Sequence, residues 1–276
     1  MRRLMSVSAT FVVVLNFVFS SIAFAQQARV IEETLILKDP TVSAAGKWVG
    51  GGALEYWYSK GRYDLSDSAG NLTAKGNISG SMPGGNIFAG YDNFTANYAY
   101  RNGSWNTNFN YVNGANTTGN EHQKENEFTV RWLIRDLSTK FFTPYLLAGY
   151  AQIDFSDTDT LTNAFVWTYN GLKTRNYSIK YKGPLVAVGG IVPVNNTVGF
   201  RFDARAMSSS ATFTRDDGFS VSGSGVGGGV TGTMYVNIVE GLNLQVGAKY
   251  QALNGGSSVG TRNLVGVFAM IGYSFK

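Results

Sequence analysis

The sequence predicts an all-β fold: a transmembrane, antiparallel up-and-down β-barrel of about ten strands with five long exterior loops. Three observations predict it. Apolar and polar residues alternate with period two over segments of ten or so residues, the links between segments alternate between short and long, and aromatic residues gather near segment ends. With 276 residues, 44% hydrophobic and 14% aromatic, the chain is too apolar for disorder. It has no cysteine, which excludes disulfides, thiolate zinc sites and thiol nucleophiles.

The amino terminus reads as an address. Arg2 and Arg3 precede the apolar stretch Phe11 to Ile22, and Ala23-Phe24-Ala25 supplies small residues one apart before Gln26. This predicts a signal peptide over 1–25, a periplasmic N-terminal segment over 26–45 and the barrel over 46–276. Loss of Arg2 and Arg3 lowers the formal net charge from +5 to +3. With no basic run and export predicted, nucleic acid is not expected as a partner. Beyond the signal no run of 18 apolar residues remains, so any crossing is made by strands.

The strands follow in order. Gly46 to Tyr58 opens the series. In Phe88 to Arg101, Phe88, Gly90, Asp92, Phe94, Ala96, Tyr98 and Tyr100 share one nearly all-apolar parity, and mostly polar residues share the other. Asn102-Gly103 is a two-residue hairpin signal, after which Trp105, Thr107, Phe109 and Tyr111 oppose Ser104, Asn106, Asn108 and Asn110. Phe128, Val130, Trp132 and Ile134 oppose Glu127, Thr129, Arg131 and Arg135. Phe142 to Phe155 and Tyr177 to Val194 come next, then Val198, Phe200, Phe202 and Ala204 against Arg201, Asp203 and Arg205. Gly225 to Val239, Leu242 to Gln251 and Arg262 to Phe275 complete the set.

Between these segments the long links are Ser59 to Ile87, Asn113 to Asn126, Ser156 to Asn176, Met207 to Ser224 and Leu253 to Thr261. Short ones separate them, at Asn102-Gly103, Leu137 to Phe141, Asn195-Asn196 and Glu240-Gly241. An even barrel returns both termini to the side of the short turns, so the long set faces outside. A soluble sandwich would also alternate, but its strands are shorter and its Greek-key connections have no such regularity. The aromatics expected to form an interfacial girdle are Tyr56, Tyr58, Tyr98, Tyr100, Trp105, Tyr273 and Phe275.

The last strand carries a resemblance. Val265, Val267, Ala269, Ile271, Tyr273 and Phe275 form an alternating apolar face ending on an aromatic, followed by Lys276. It resembles the closing strand of bacterial outer-membrane β-barrel proteins, including small porin-like ones, which usually end on the aromatic itself. The resemblance implies the Gram-negative outer membrane as location and the barrel-assembly machinery as a partner through this strand. A monomer in contact with outer-membrane lipid and lipopolysaccharide is expected.

The inward parity is read as holding Glu55, Glu127, Arg131, Arg135, Asp154, Arg201, Asp203, Arg205 and Lys249. Charges inside a narrow barrel are costly unless paired, so an ion-pair network that fills the lumen is expected. Ten strands lie near the size at which side chains fill the interior. A surface-binding or structural barrel is therefore the leading function, with a narrow porin-like channel for small solutes as the alternative.

Catalytic chemistry is thinly provided, and no enzyme activity is expected. The single histidine, His122, reads as a residue of the second exterior loop beside Glu121 and Glu125. Asp157-Thr158-Asp159 and Asp216-Asp217 are carboxylate pairs. They are similar to the acidic pairs at the rim of ten-stranded outer-membrane proteases of the omptin type, one of which contains histidine, but no Asp-x-His occurs here. A rim protease or lipid-modifying enzyme is thus the least supported reading. Too few ligands surround His122 for a metal site, and no cofactor is predicted.

Overall fold

A computed structural model describes residues 38–66, 72–112, 114, 116–161 and 174–276. The expected signal peptide and most of the expected periplasmic segment lie outside the described residues. Ten strands form one closed sheet in which each pairs with its sequence neighbours and β1 closes on β10. They are β1 (Trp48–Ser66), β2 (Leu72–Tyr91), β3 (Phe94–Tyr111), β4 (Asn116–Leu133), β5 (Thr143–Leu161), β6 (Thr174–Pro193), β7 (Val198–Arg215), β8 (Ser220–Asn237), β9 (Leu242–Asn254) and β10 (Thr261–Phe275). A 3-10 turn at Arg135–Leu137 interrupts the β4 to β5 connection. Every pair is antiparallel.

The strand number agrees with the sequence, but most outer strand ends and most loops do not. Asn102-Gly103 is not a turn. Both residues lie inside β3, where Asn102 pairs with Lys124 and Gly103 with Gln123. The first real turn after β2 is Asp92-Asn93, where Asp92 takes a positive φ of 53°. The stretch Ser59 to Ile87, expected as a loop, is the outer half of β1 joined to β2. The stretch Asn113 to Asn126, also expected as a loop, is largely β4. Only four to six residues separate the strands at 67–71, 112–115, 216–219 and 255–260, so these exterior links are short; the fifth, 162–173, lies outside the described residues.

One physical cause accounts for these differences. Along β3 the even residues point outward throughout, first as Phe94, Ala96, Tyr98 and Tyr100, then as Asn102, Ser104, Asn106, Asn108 and Asn110. The odd residues point inward and change the other way, from Thr95, Asn97 and Arg101 to Trp105, Thr107 and Phe109. Polarity inverts because the wall passes from lipid to water. Inside the bilayer the outer face must be apolar, whereas above it the wall behaves as an ordinary soluble barrel with its core inside. A turn and a change of medium leave the same slip in the alternation.

The inversion recurs around the barrel. Outward residues change from Tyr58 to Lys60 on β1, from Phe128 to Asn126 on β4, from Tyr150 to Gln152 on β5 and from Pro184 to Lys182 on β6. An 18-residue strand at about 3.3 Å per residue and a tilt near 40° rises roughly 45 Å, against about 25 Å for an apolar band. The barrel therefore stands well clear of the membrane as a polar sleeve.

Candidate functional site

The interior has two storeys. In the sleeve, Tyr63, Phe109, Ile153, Phe155, Ile179 and Tyr181 are at most 1% exposed and fill the lumen with an apolar core. Beneath it Trp57, Trp105, Ile78, Met82 and Leu264 form a second buried cluster. The Trp57 and Trp105 rings meet edge to face with centroids 5.7 Å apart. Trp105, expected in the girdle, is thus a core residue, because it lies on the inward parity of β3 above the point of inversion. The other expected girdle residues, Tyr56, Tyr58, Tyr98, Tyr100, Tyr273 and Phe275, are exposed on the outer wall.

At membrane depth the lumen is polar. Arg101 donates from Nε to Glu55 at 2.9 Å and from Nη1 to Glu125 at 3.0 Å, and Lys249 reaches the same Glu125 oxygen at 3.2 Å. Arg205 bridges Glu127 and Asp203 at 3.1 and 3.0 Å. Arg201 donates to Gln245 at 2.7 Å and pairs with Asp39 at 3.2 Å. All of these side chains except Glu125 and Asp39 line a chamber of about 160 Å³.

The structure brings Glu55, Glu127, Arg131, Arg201, Asp203, Arg205 and Lys249 together around this chamber. It separates two expected members. Asp154 lies on the outward parity of β5, above the inversion, where it faces Lys180 at 3.7 Å. Arg135 sits in the inner turn after β4, where it donates to the Asn93 side chain and to the Ser43 carbonyl. Arg101, Glu125 and Asp39 belong to the network as well, beyond the residues expected from the sequence. The outward-apolar parity of Tyr98 and Tyr100 already implied an inward Arg101, but the false hairpin beside it obscured this, and Glu125 was hidden in a loop that is strand.

The floor of the chamber is the segment Lys38–Lys47, folded into the inner mouth. Asp39, Val42 and Ser43 are fully buried. Thr41 accepts from Arg131 at its carbonyl and hydroxyl, both at 2.8 Å. Asn237 donates to the Lys38 carbonyl at 2.8 Å, and Lys276 donates to the Asp39 carbonyl at 3.0 Å. Burial alone would raise the Asp39 carboxyl, but the Arg201 and Arg131 guanidiniums and the Thr41 hydroxyl and amide hold it below the ordinary carboxylate value. Burial, helped by Lys38, pushes the Lys276 ammonium down to about 8 against the pull of Asp39.

The residues with catalytic potential do not converge. His122 lies within β4 and points outward, its Nδ1 3.4 Å from the Ser104 hydroxyl. It is a strand residue because the sleeve extends through the expected loop. Asp157 points inward, accepting from Thr107 at 2.9 Å and Tyr177 at 3.0 Å, so the wall separates it from His122. Asp216 and Asp217 form the β7 to β8 turn, where Asp217 pairs with Arg215 at 2.9 Å. The side chain of Asp159 lies outside the described residues.

Comparison with known proteins supports the architecture. No protein-family model matches the chain, and no curated protein matches it. Among solved structures it is similar to the outer membrane protease OmpT from Escherichia coli, with a TM-score of 0.61 and 12% identity over 86% of this chain and 100% of that one. The translocator domain of the autotransporter NalP from Neisseria meningitidis gives 0.47 and 13% over 93% and 97%. The outer membrane protein OprG from Pseudomonas aeruginosa gives 0.39 and 11% over 86% and 99%. At 12% identity the likeness to OmpT is one of fold alone. With its closed antiparallel sheet and its outward-facing apolar band, the chain has the fold of a ten-stranded β-barrel of the outer-membrane type.

Proposed function

We propose that this barrel is a non-conducting surface protein that anchors a rigid polar sleeve above the outer leaflet, for contact with surface partners or for mechanical support. The observation that carries the reading is the pair of apolar clusters stacked inside the wall, with Trp57, Trp105, Phe109, Phe155 and Tyr181 at most 1% exposed. Such a core excludes water from the outer half of the lumen, as in a soluble domain. The polar network beneath it then serves to satisfy buried charges and not to guide a solute across.

The partners that fit are outer-membrane lipid and lipopolysaccharide around the wall, and the barrel-assembly machinery acting on β10 during insertion. Exposed Lys124, Lys180 and Lys182 just above the apolar band, beside an amide-rich face of Asn106, Asn108 and Asn120, suit phosphate and sugar headgroups. Nothing in the fold calls for more than a monomer. Planar-bilayer recording of the refolded protein tests the reading: a flat baseline over the full voltage range is expected. Stable ohmic steps would overturn it and favour the narrow channel.

A further inference from the structure

The chamber lies between two unlike boundaries. On its outer side is the apolar cluster containing Trp57, Trp105 and Phe268. On its inner side is Thr41, part of a segment held mainly by hydrogen bonds and ion pairs with Val42 as an apolar anchor. Polar bonds next to water exchange readily for solvent, whereas a packed apolar core does not. The inner boundary is the one that can open.

Arg131 indicates what the chamber accepts. Arg101, Arg201 and Arg205 each pair with a carboxylate. Arg131 lines the same chamber and is 7% exposed, yet its hydrogen bonds go to neutral oxygens of Thr41 and Thr95. Its Nε is buried without a hydrogen bond. Meanwhile Arg201 takes the carboxylate of Asp39 from the same segment. The segment thus fills two guanidinium sites with its own oxygens, one of them a carboxylate. A free carboxylate is the stronger acceptor for the second, since charge-assisted bonds to guanidinium exceed those to a neutral carbonyl.

We propose that the chamber is a binding site for a small organic carboxylate, held by Arg131 and admitted from the periplasmic side when Lys38–Lys47 swings out. The volume of about 160 Å³ suits a small acid. The apolar core stays closed above it, so the acid is bound and not transported. This goes beyond the non-conducting reading, and conductance and binding are separate readouts, so either can fail alone.

The absence of cysteine permits a direct test. Thr231 lines the chamber, and Thr231→Cys supplies a single thiol there. The refolded full chain is treated with an anionic methanethiosulfonate reagent with and without succinate. Succinate is expected to slow modification several-fold, Arg131→Gln in the same background to remove that protection, and Asp39→Asn to speed modification by loosening the segment. Equal rates with and without succinate would overturn the proposal, as would protection that survives Arg131→Gln. Should Arg131→Gln not refold, as judged by the gel mobility of unboiled samples, calorimetric titration of the unsubstituted chain with succinate decides. Heat of binding then supports the site and its absence overturns it.

Discussion

Glu121 on β4 and Arg262 on β10 join across the closed lumen of the sleeve, two hydrogen bonds of 2.5 Å between side chains with no solvent exposure. The Arg262 guanidinium also lies 3.8 Å from the centre of the Phe155 ring and 4.6 Å from that of Tyr63. An ion pair buried in an apolar core ties together two strands that do not neighbour each other in the sheet. Removing one partner strands the other charge, so Glu121→Gln or Arg262→Met alone is expected to cost about 3–5 kcal/mol. Glu121→Leu combined with Arg262→Met should cost much less than the sum, measured by urea unfolding of the refolded barrel. Additive losses would show that the two charges act independently.

The inversion of polarity predicts opposite tolerances on one continuous outer wall. Ile271 faces lipid well inside the apolar band, and Asn106 faces outward on the sleeve. Ile271→Arg should destabilise the inserted barrel by about 2–4 kcal/mol, while Asn106→Arg should stay within about 0.5 kcal/mol. Folding titrations into lipid vesicles compare the two, and a similar loss at both positions would place the membrane boundary elsewhere.

Gly103 separates a strand from a hairpin. A Cβ built there would stand 2.1 Å from the Ser81 carbonyl oxygen and 2.7 Å from the Met82 Cα. Gly103→Ala must therefore push β2 and β3 apart, with an expected loss of about 1–3 kcal/mol. In a two-residue hairpin the same position would be open to solvent, so a neutral thermal shift would speak for a turn.

The inner segment should loosen in acid. The folded Asp39 carboxyl titrates below its ordinary value, so its stabilising contribution is complete above that value and is lost as pH falls through the lower, folded one. Amide NMR signals of Lys38–Lys47 should hold their positions at neutral and mildly acid pH and shift towards disordered values only in strong acid. In Asp39→Asn the acid-dependent shift should vanish. Signals that move between neutral and mildly acid pH would contradict the Arg201 pairing.

The sequence by itself determined that the chain is built of strands and that β10 presents an apolar face to lipid, whereas its count of ten agrees only because splitting β3 at Asn102-Gly103 offsets leaving most of β2 in a loop. The strands and that face follow from a local period of two, which survives in any environment. It also exposed Arg201, Asp203 and Arg205 as one charged face, because residues two apart share a side of a strand. Only the tertiary structure decided which parity lies inside above the membrane. Trp105 and Asn106 alternate just as Tyr100 and Arg101 do, and only the surrounding medium determines which of each pair is buried. The partners of the charges were equally out of reach. Glu121 meets Arg262, and Asp39 meets Arg201, across a lumen whose closure depends on the register of all ten strands, a property no local pattern encodes.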